Sequence, residues 1–319
     1  MAEASAHLEE HREEEAAAAW AEAAEVADRR VDREEALYRR ARLQLRLGHH
    51  AEALRALDDL AAARPISRRT VRATFAAAVF RLDHGERERS IAALTWVVEE
   101  HPESGLAGRA LRLLLEAASD APPAEVAAWL DVLYGRVGSS DLGDDVLTHR
   151  ARILRAAGDR AGAVQALERL AADHPYPHWQ RWDDALWTLA DLALEADDPE
   201  RAAAYLRRMI AEVSGDILPG GQIPPLVPRA SLRLGRLYRD ELADPRRAEA
   251  TFRATASRFP KSLSWDDALA DLGELQLAQG RLVEGCATLE RLLAATEVGR
   301  ARRRAARLHA EACDGSGGS

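Results

Sequence analysis

Few residues in this chain have the types and spacing that chemistry requires, and the first of them is the pentad His7-Leu8-Glu9-Glu10-His11. It matches H-x-x-E-H, in which two histidines one helical turn apart can ligate zinc while a carboxylate serves as general base. Two of its five positions are wildcards, it lies at a chain terminus, and no third ligand is evident, so it reads as terminal surface rather than as a metal site. Trp-Asp-Asp-Ala-Leu occurs twice, at Trp182 and Trp265, and its paired carboxylates could serve acid/base chemistry or calcium. Acidic residues in a first helical turn also favour the helix dipole, with the tryptophan packed on the preceding unit, and helix entry is the simpler expectation. His49-His50 falls in an inter-helix turn and reads as solvated. There is no P-loop, dinucleotide glycine fingerprint, G-x-S-x-G or paired-cysteine spacing. The chain is therefore expected not to be an enzyme, with no catalytic residues, no metal and no cofactor.

The elements that must carry any site are helices. Hydrophobic residues make up 47% of the 319 positions, charged residues 30% and aromatics 5%, a balance that favours helix over strand almost everywhere. Asparagine is absent and Lys261 is the only lysine, a bias that a GC-rich coding sequence explains. A formal charge of −9 argues against a general nucleic-acid binder. Cys286 and Cys313 cannot build a disulfide framework and suit a reducing compartment. The N-terminus lacks basic and apolar signal regions, and no run reaches about 18 apolar residues, so neither signal peptide nor membrane span is expected. If Met1 is the native start the location is cytoplasmic, or periplasmic if a signal has been removed.

One pattern recurs along the chain. From Gly48 the residues Ala53, Leu57, Leu60 and Pro65 follow at plus five, nine, twelve and seventeen; Gly158 leads in the same way to Ala163, Leu167, Leu170 and Pro175, and Gly85 to Ser90, Leu94, Val97 and Pro102. Looser copies start at Asp197, Ala243 and Gly280, and a degenerate one near Asp120 puts Trp129 and Val132 in its later slots. Physically, a glycine permits the left-handed turn after a first helix, a small residue lets two helices approach, and a proline ends the second. The stretch from Ser214 to Pro228 holds four prolines and three glycines and reads as a long loop. Its Ile217, Leu218, Ile223, Leu226 and Val227 either pack on a helix pair or meet a partner. An acidic N-terminal helix within 1–32 and a basic C-terminal helix over 297–312 cap the array, with 313–319 as a flexible tail. In the second cap Val298, Ala301, Ala305 and Leu308 form a narrow apolar stripe and five arginines face outward, to keep the end soluble or to meet an acidic partner.

This ruler resembles the tetratricopeptide repeat family over roughly residues 33 to 296. FPKSLSWDDALADLGELQLAQGRLVEGCATLERL and HPESGLAGRALRLLLEA look like repeat proteins of the bacterial cell envelope, including outer-membrane assembly lipoproteins and partners of the Tol–Pal system. The resemblance implies an all-α, right-handed solenoid of about seven helix-turn-helix repeats, its inner wall lined by the first helix of each repeat. Counting back from each turn then places Arg39, Arg42, Arg72, Arg152, Arg155 and His149 on that wall, with Phe75, Val79, Leu82, Leu111 and Leu114 as an apolar floor. Asp184, Asp191, Asp240, Asp267, Asp271 and Glu274, around Trp187, would make the later wall acidic. Such a groove, positive and greasy at one end and acidic at the other, could hold a peptide or helix of a partner protein in a fixed direction. The same positions could instead pack between repeats, with the charges forming a solvated face. Relatives that clamp C-terminal carboxylates use lysine and asparagine, and that clamp cannot exist here in its usual form.

The leading expectation is a non-enzymatic scaffold or adaptor. A structural subunit of a larger assembly, joined through its end caps or the 214–228 loop and possibly self-associating, is the second. A metal-dependent hydrolase using the histidine pentad is a remote third.

Overall fold

The computed structural model describes residues 12–177, 181–215, 224–260, 262–295 and 297–313. The histidine pentad and most of the apolar residues of the expected long loop lie outside them. The described residues form sixteen α-helices and no strand. They are α1 (Glu13–Glu25), α2 (Arg30–Arg46), α3 (His50–Ala62), α4 (Arg68–Asp83), α5 (Arg87–Glu100), α6 (Ala107–Ala117), α7 (Pro123–Val137) and α8 (Gly143–Ala156). The series continues with α9 (Arg160–Asp173), α10 (Trp182–Glu195), α11 (Pro199–Gly215), α12 (Leu226–Asp240), α13 (Pro245–Arg258), α14 (Leu263–Ala278), α15 (Leu282–Ala295) and α16 (Arg300–Ala312). No helix is long and apolar enough to cross a membrane. Two compact units divide the chain, an N-terminal one through Val146 and a C-terminal one from Leu147, so the boundary falls inside α8.

Each turn is built as the ruler requires. Gly48, Gly85, Gly158 and Gly280 have φ between 75° and 85°, and Asp197 and Ala243 take φ of 57° and 47°. The turns at His49, Glu86, Asp159, Asp198 and Arg281 close identically, each amide donating to the carbonyl five residues back, as in His49 N to Gln44 O at 2.9 Å. This bond satisfies one of the carbonyls that the end of a helix would otherwise orphan. The turn after α12 is one residue wider, with Asp244 N donating to Tyr238 O. Slots plus five, nine and twelve are the core of every pair: Ala53, Leu57, Leu60; Ser90, Leu94, Val97; Ala163, Leu167, Leu170; Ala202, Leu206, Met209; and Ala248, Phe252, Thr255 are all buried.

The degenerate repeat corrects one expectation. Val132 is 61% exposed and Trp129 only half-buried, while Leu130 and Leu133 fill the core. The ruler here starts at Ala121, one residue later, and Leu111 and Leu114 of α6 are buried. The 214–228 loop is also shorter than expected: Ser214 and Gly215 still belong to α11, and Leu226, Val227 and Pro228 start α12, whose first turn tolerates proline.

From α1 to α6 and from α9 to α16 helices pack on their sequence neighbours and, within first-helix layers, on the next but one: α2 on α4, α10 on α12, α12 on α14 and α14 on α16. Helix α16 therefore occupies the place of the next first helix, burying Ala301 and Ala305 while Val298, expected in the same stripe, is left 81% exposed before the helix begins. The expectation of five outward arginines fails at two positions, since Arg302 donates to Leu293 O and Arg304 turns onto Asp271 and Glu274.

Cys286 and Cys313 form a disulfide with Cα atoms 5.9 Å apart, linking α15 to the end of α16. Cys313 is thus pinned rather than part of a flexible tail, and the cysteine count gives no argument for a reducing compartment. In the chain-entropy account, a cross-link closing a loop of 27 residues contributes roughly 3–4 kcal/mol. Reduction, or Cys286→Ser, is accordingly expected to raise amide exchange across α16 by about two orders of magnitude. Exchange in α1 to α7 should not change, because repeat arrays couple mainly through adjacent interfaces.

Candidate protein-binding surface

In the N-terminal unit, helices α2 and α4 bring four of the expected groove residues together. Arg42, Arg72, Phe75 and Val79 line one 380 Å³ cleft with Tyr38, Leu45, Arg46, Phe80, Asp83, Leu106 and Arg109. Phe75 is almost fully buried and forms the floor, with the Arg109 guanidinium 5.2 Å from its ring centroid. Phe80 extends the floor, stacked on His84 at 3.8 Å and met edge-on by His50 at 4.8 Å. His50, expected to be only solvated, thus starts α3 and braces that aromatic wall.

The charges around this floor are unequal. Arg46 pairs with Glu13 at 3.1 Å, and Arg42 donates only to the Tyr38 hydroxyl at 3.2 Å. Arg42, Arg72 and Arg109 have no carboxylate partner among the described residues, while a single carboxylate, Asp83, lines the cleft. Arg39 lies beside it in a 290 Å³ recess with Trp20, its guanidinium 4.9 Å from that ring and 2.7 Å from Glu35. Burial works against ionised Glu35, yet the hydrogen bonds and charges of Arg39 and Arg69 outweigh it and hold the carboxyl below its ordinary range. Arg39 is therefore the most committed of the three expected N-terminal arginines. Tyr38 stands ten residues before Gly48, one of the spacings used to find the wall, so the pattern could have revealed it. Phe80 and Arg109 fall off those spacings.

In the C-terminal unit the expected residues meet one another instead of leaving an open acidic wall. Arg152 lies 2.8 Å from His149, and Arg155 pairs with Glu195. Trp187 is covered by the guanidinium groups of Arg233 and Arg229, at 4.6 and 5.3 Å, and Arg233 also holds Asp191. Asp184 is exposed at the first turn of α10. Beside it, burial and then the Asp184 charge push Asp183 upward. Arg239 holds Asp240 by a hydrogen bond at 2.6 Å and keeps it below the usual carboxylate range.

The acidic end read from Asp267, Asp271 and Glu274 is where expectation and structure part most clearly. Asp271 is completely buried and receives Arg236 at 2.6 Å, Arg304 at 2.7 Å and Arg239 at 3.2 Å. Glu274 is taken by Arg304, and Asp267 sits 4.0 Å from Arg236. Arginines of the helices on either side cover these carboxylates. The missed residues are Arg233 and Arg236 of α12, whose spacing from the turn at Ala243 could have exposed Arg233 but not Arg236.

Four segments, residues 35–65, 145–175, 184–214 and 229–262, match the tetratricopeptide repeat family model. The chain carries tetratricopeptide repeats. The matched repeats are the pairs α2–α3, α8–α9, α10–α11 and α12–α13. Similar solved structures include the C-terminal part of a TPR repeat-containing protein from Cytophaga hutchinsonii, at 11% identity over 83% of this chain and 97% of that one, with a TM-score of 0.43. PilW, a type IV pilus biogenesis factor, is 14% identical over 76% of this chain and 99% of its own, with a TM-score of 0.38. A tetratricopeptide repeat protein from Parabacteroides merdae is 14% identical over 77% and 93%, with a TM-score of 0.34. No curated protein matches the chain.

Proposed function

We propose that the chain is a non-enzymatic protein-binding scaffold whose N-terminal unit holds an acidic segment of a partner carrying an apolar or aromatic anchor. The observation that carries this reading is the cleft in which Arg42, Arg72 and Arg109 stand without carboxylate partners around Phe75, Phe80 and Val79. An apolar floor rewards burial of an anchoring side chain, and unpaired guanidiniums reward carboxylates flanking it. Arg39 extends the same surface.

The test is capture of a display library of short peptides, followed by titration of the selected sequences. Replacing Arg42, Arg72 and Arg109 together with glutamate is expected to weaken binding at least 100-fold, since three charge contacts become repulsive. Far-ultraviolet circular dichroism should be unchanged, because the guanidiniums have no ion-pair role in the fold. Undiminished binding, or selection of basic peptides, would reject the proposal.

A further inference from the structure

The basic end of the C-terminal unit is a second site, independent of the groove in the N-terminal unit. We infer that it binds a compact, multiply charged phosphate ester. A 590 Å³ cleft lies between α12, α14 and α16, lined by Arg236, Asp267, Arg300, Ala301, Arg303, Arg304 and Arg307. Five guanidiniums thus face one lining carboxylate.

The arginines divide into two sets. Arg236 and Arg304 line the cleft while anchored by buried Asp271, which fixes their direction; Arg304 also holds Glu274, and Arg236 lies 4.0 Å from Asp267. Arg300 and Arg303 have no carboxylate partner among the described residues, and Arg307 meets only exposed Glu311, at 4.0 Å. These cations also crowd the first turns of α16, the positive end of its dipole, where Gly299 supplies no side-chain cap. Acidic residues are the ones that stabilise such a turn, so the sequence places charge where the fold alone disfavours it. A bound anion removes that conflict.

The lining selects the kind of anion. Ala301 is its sole apolar residue, so the cleft offers no floor for an anchoring side chain or a nucleobase. Several converging guanidinium forks suit phosphate oxygens, which present up to two charges on each group and accept bidentate bonds. A formal charge of −9 on the whole chain repels an extended polyanion, which favours a small ligand over a nucleic-acid strand.

Isothermal titration of the full chain at about 0.15 M salt tests this, with inositol hexakisphosphate, a doubly phosphorylated serine peptide and decaglutamate as probes. At least one phosphorylated probe is expected to bind with a Kd on the order of 10 μM. The stronger of the two identifies the source as a free metabolite or a modified protein. Arg300→Glu combined with Arg303→Glu should weaken that binding at least 30-fold, and the Arg42, Arg72 and Arg109 glutamate variant should leave it unchanged. Both altered residues of the first variant are exposed, and an unchanged melting curve shows that it is folded. Failure of both phosphate probes, equal binding of decaglutamate, or indifference to the α16 substitutions overturns the inference. The three titrations are repeated in the Arg42, Arg72 and Arg109 glutamate variant, so that binding of an acidic peptide in the N-terminal cleft is not read as binding at α16.

Discussion

Asp271→Ala is expected to cost about 3–5 kcal/mol, the loss associated with leaving buried charges unpaired. Asp271 is completely buried and is the common acceptor of Arg236, Arg239 and Arg304, which come from α12 and α16. Removing it leaves three guanidiniums converging on a vacated, water-poor space, with the more exposed Glu274, Asp240 and Asp267 as the remaining nearby acceptors. Asp271→Asn should be milder, because the amide oxygen still accepts a hydrogen bond although the charge is gone. Urea unfolding followed by circular dichroism, with hydrogen exchange to locate the change, measures both. A loss below about 1 kcal/mol for the alanine variant would show that the carboxylate is not the hub of this interface.

The second large effect lies one repeat earlier, where α12 and α13 touch. A side chain on Gly235 would put its Cβ 2.4 Å from the ring of Phe252, whose side chain is completely buried. The ring fills the space that the glycine leaves. Phe252→Ala is expected to cost about 3–5 kcal/mol through lost burial and the cavity it opens. Gly235→Ala should cost about 1–3 kcal/mol by overpacking, which exceeds the gain in helix propensity that alanine brings. The double variant tests the contact itself: once the ring is gone, alanine at 235 should be neutral or stabilising. A coupling of at least about 1 kcal/mol is expected from the double-mutant cycle, whereas simple additivity would place the two residues in separate environments.

Much of the fold was legible because a repeat multiplies weak signals. Gly48, Gly85, Gly158 and Gly280 announced their turns by residue type. Asp197 and Ala243 could be placed only by their distance from the others, since neither residue favours the left-handed conformation as glycine does. Where the ruler had no glycine and two prolines followed, at Ala121, it slipped by one residue and put Trp129 and Val132 in the slots that Leu130 and Leu133 fill. One residue is about 100° around a helix, enough to exchange a groove face for a core face.

The candidate surface was less legible, for a different reason. Spacing identifies the wall on which a charged residue stands, but not whether the neighbouring helix already answers it. Arg42 and Arg72 were found by position and lie in the cleft, as do Phe75 and Val79. Asp191, Asp271 and Glu274 were also found by position, yet arginines 30 to 42 residues away neutralise them. Such pairs join helices that are next but one in the chain, and no local pattern announces them.

The stacking of helices on their sequence neighbours, from α1 to α6 and from α9 to α16, also governs how the protein forms. Every pair within a repeat closes through a turn of a few residues, so little loop entropy is lost before the first apolar contacts are gained. During synthesis, a helix pair can collapse as soon as its second member leaves the ribosome, without waiting for the rest of the chain. Helix α14 is the exception at the end of the line. Its buried Asp271 is matched on one side by Arg236 and Arg239, made earlier, and on the other by Arg304, so its pairing is completed only after nearly the whole chain has been made.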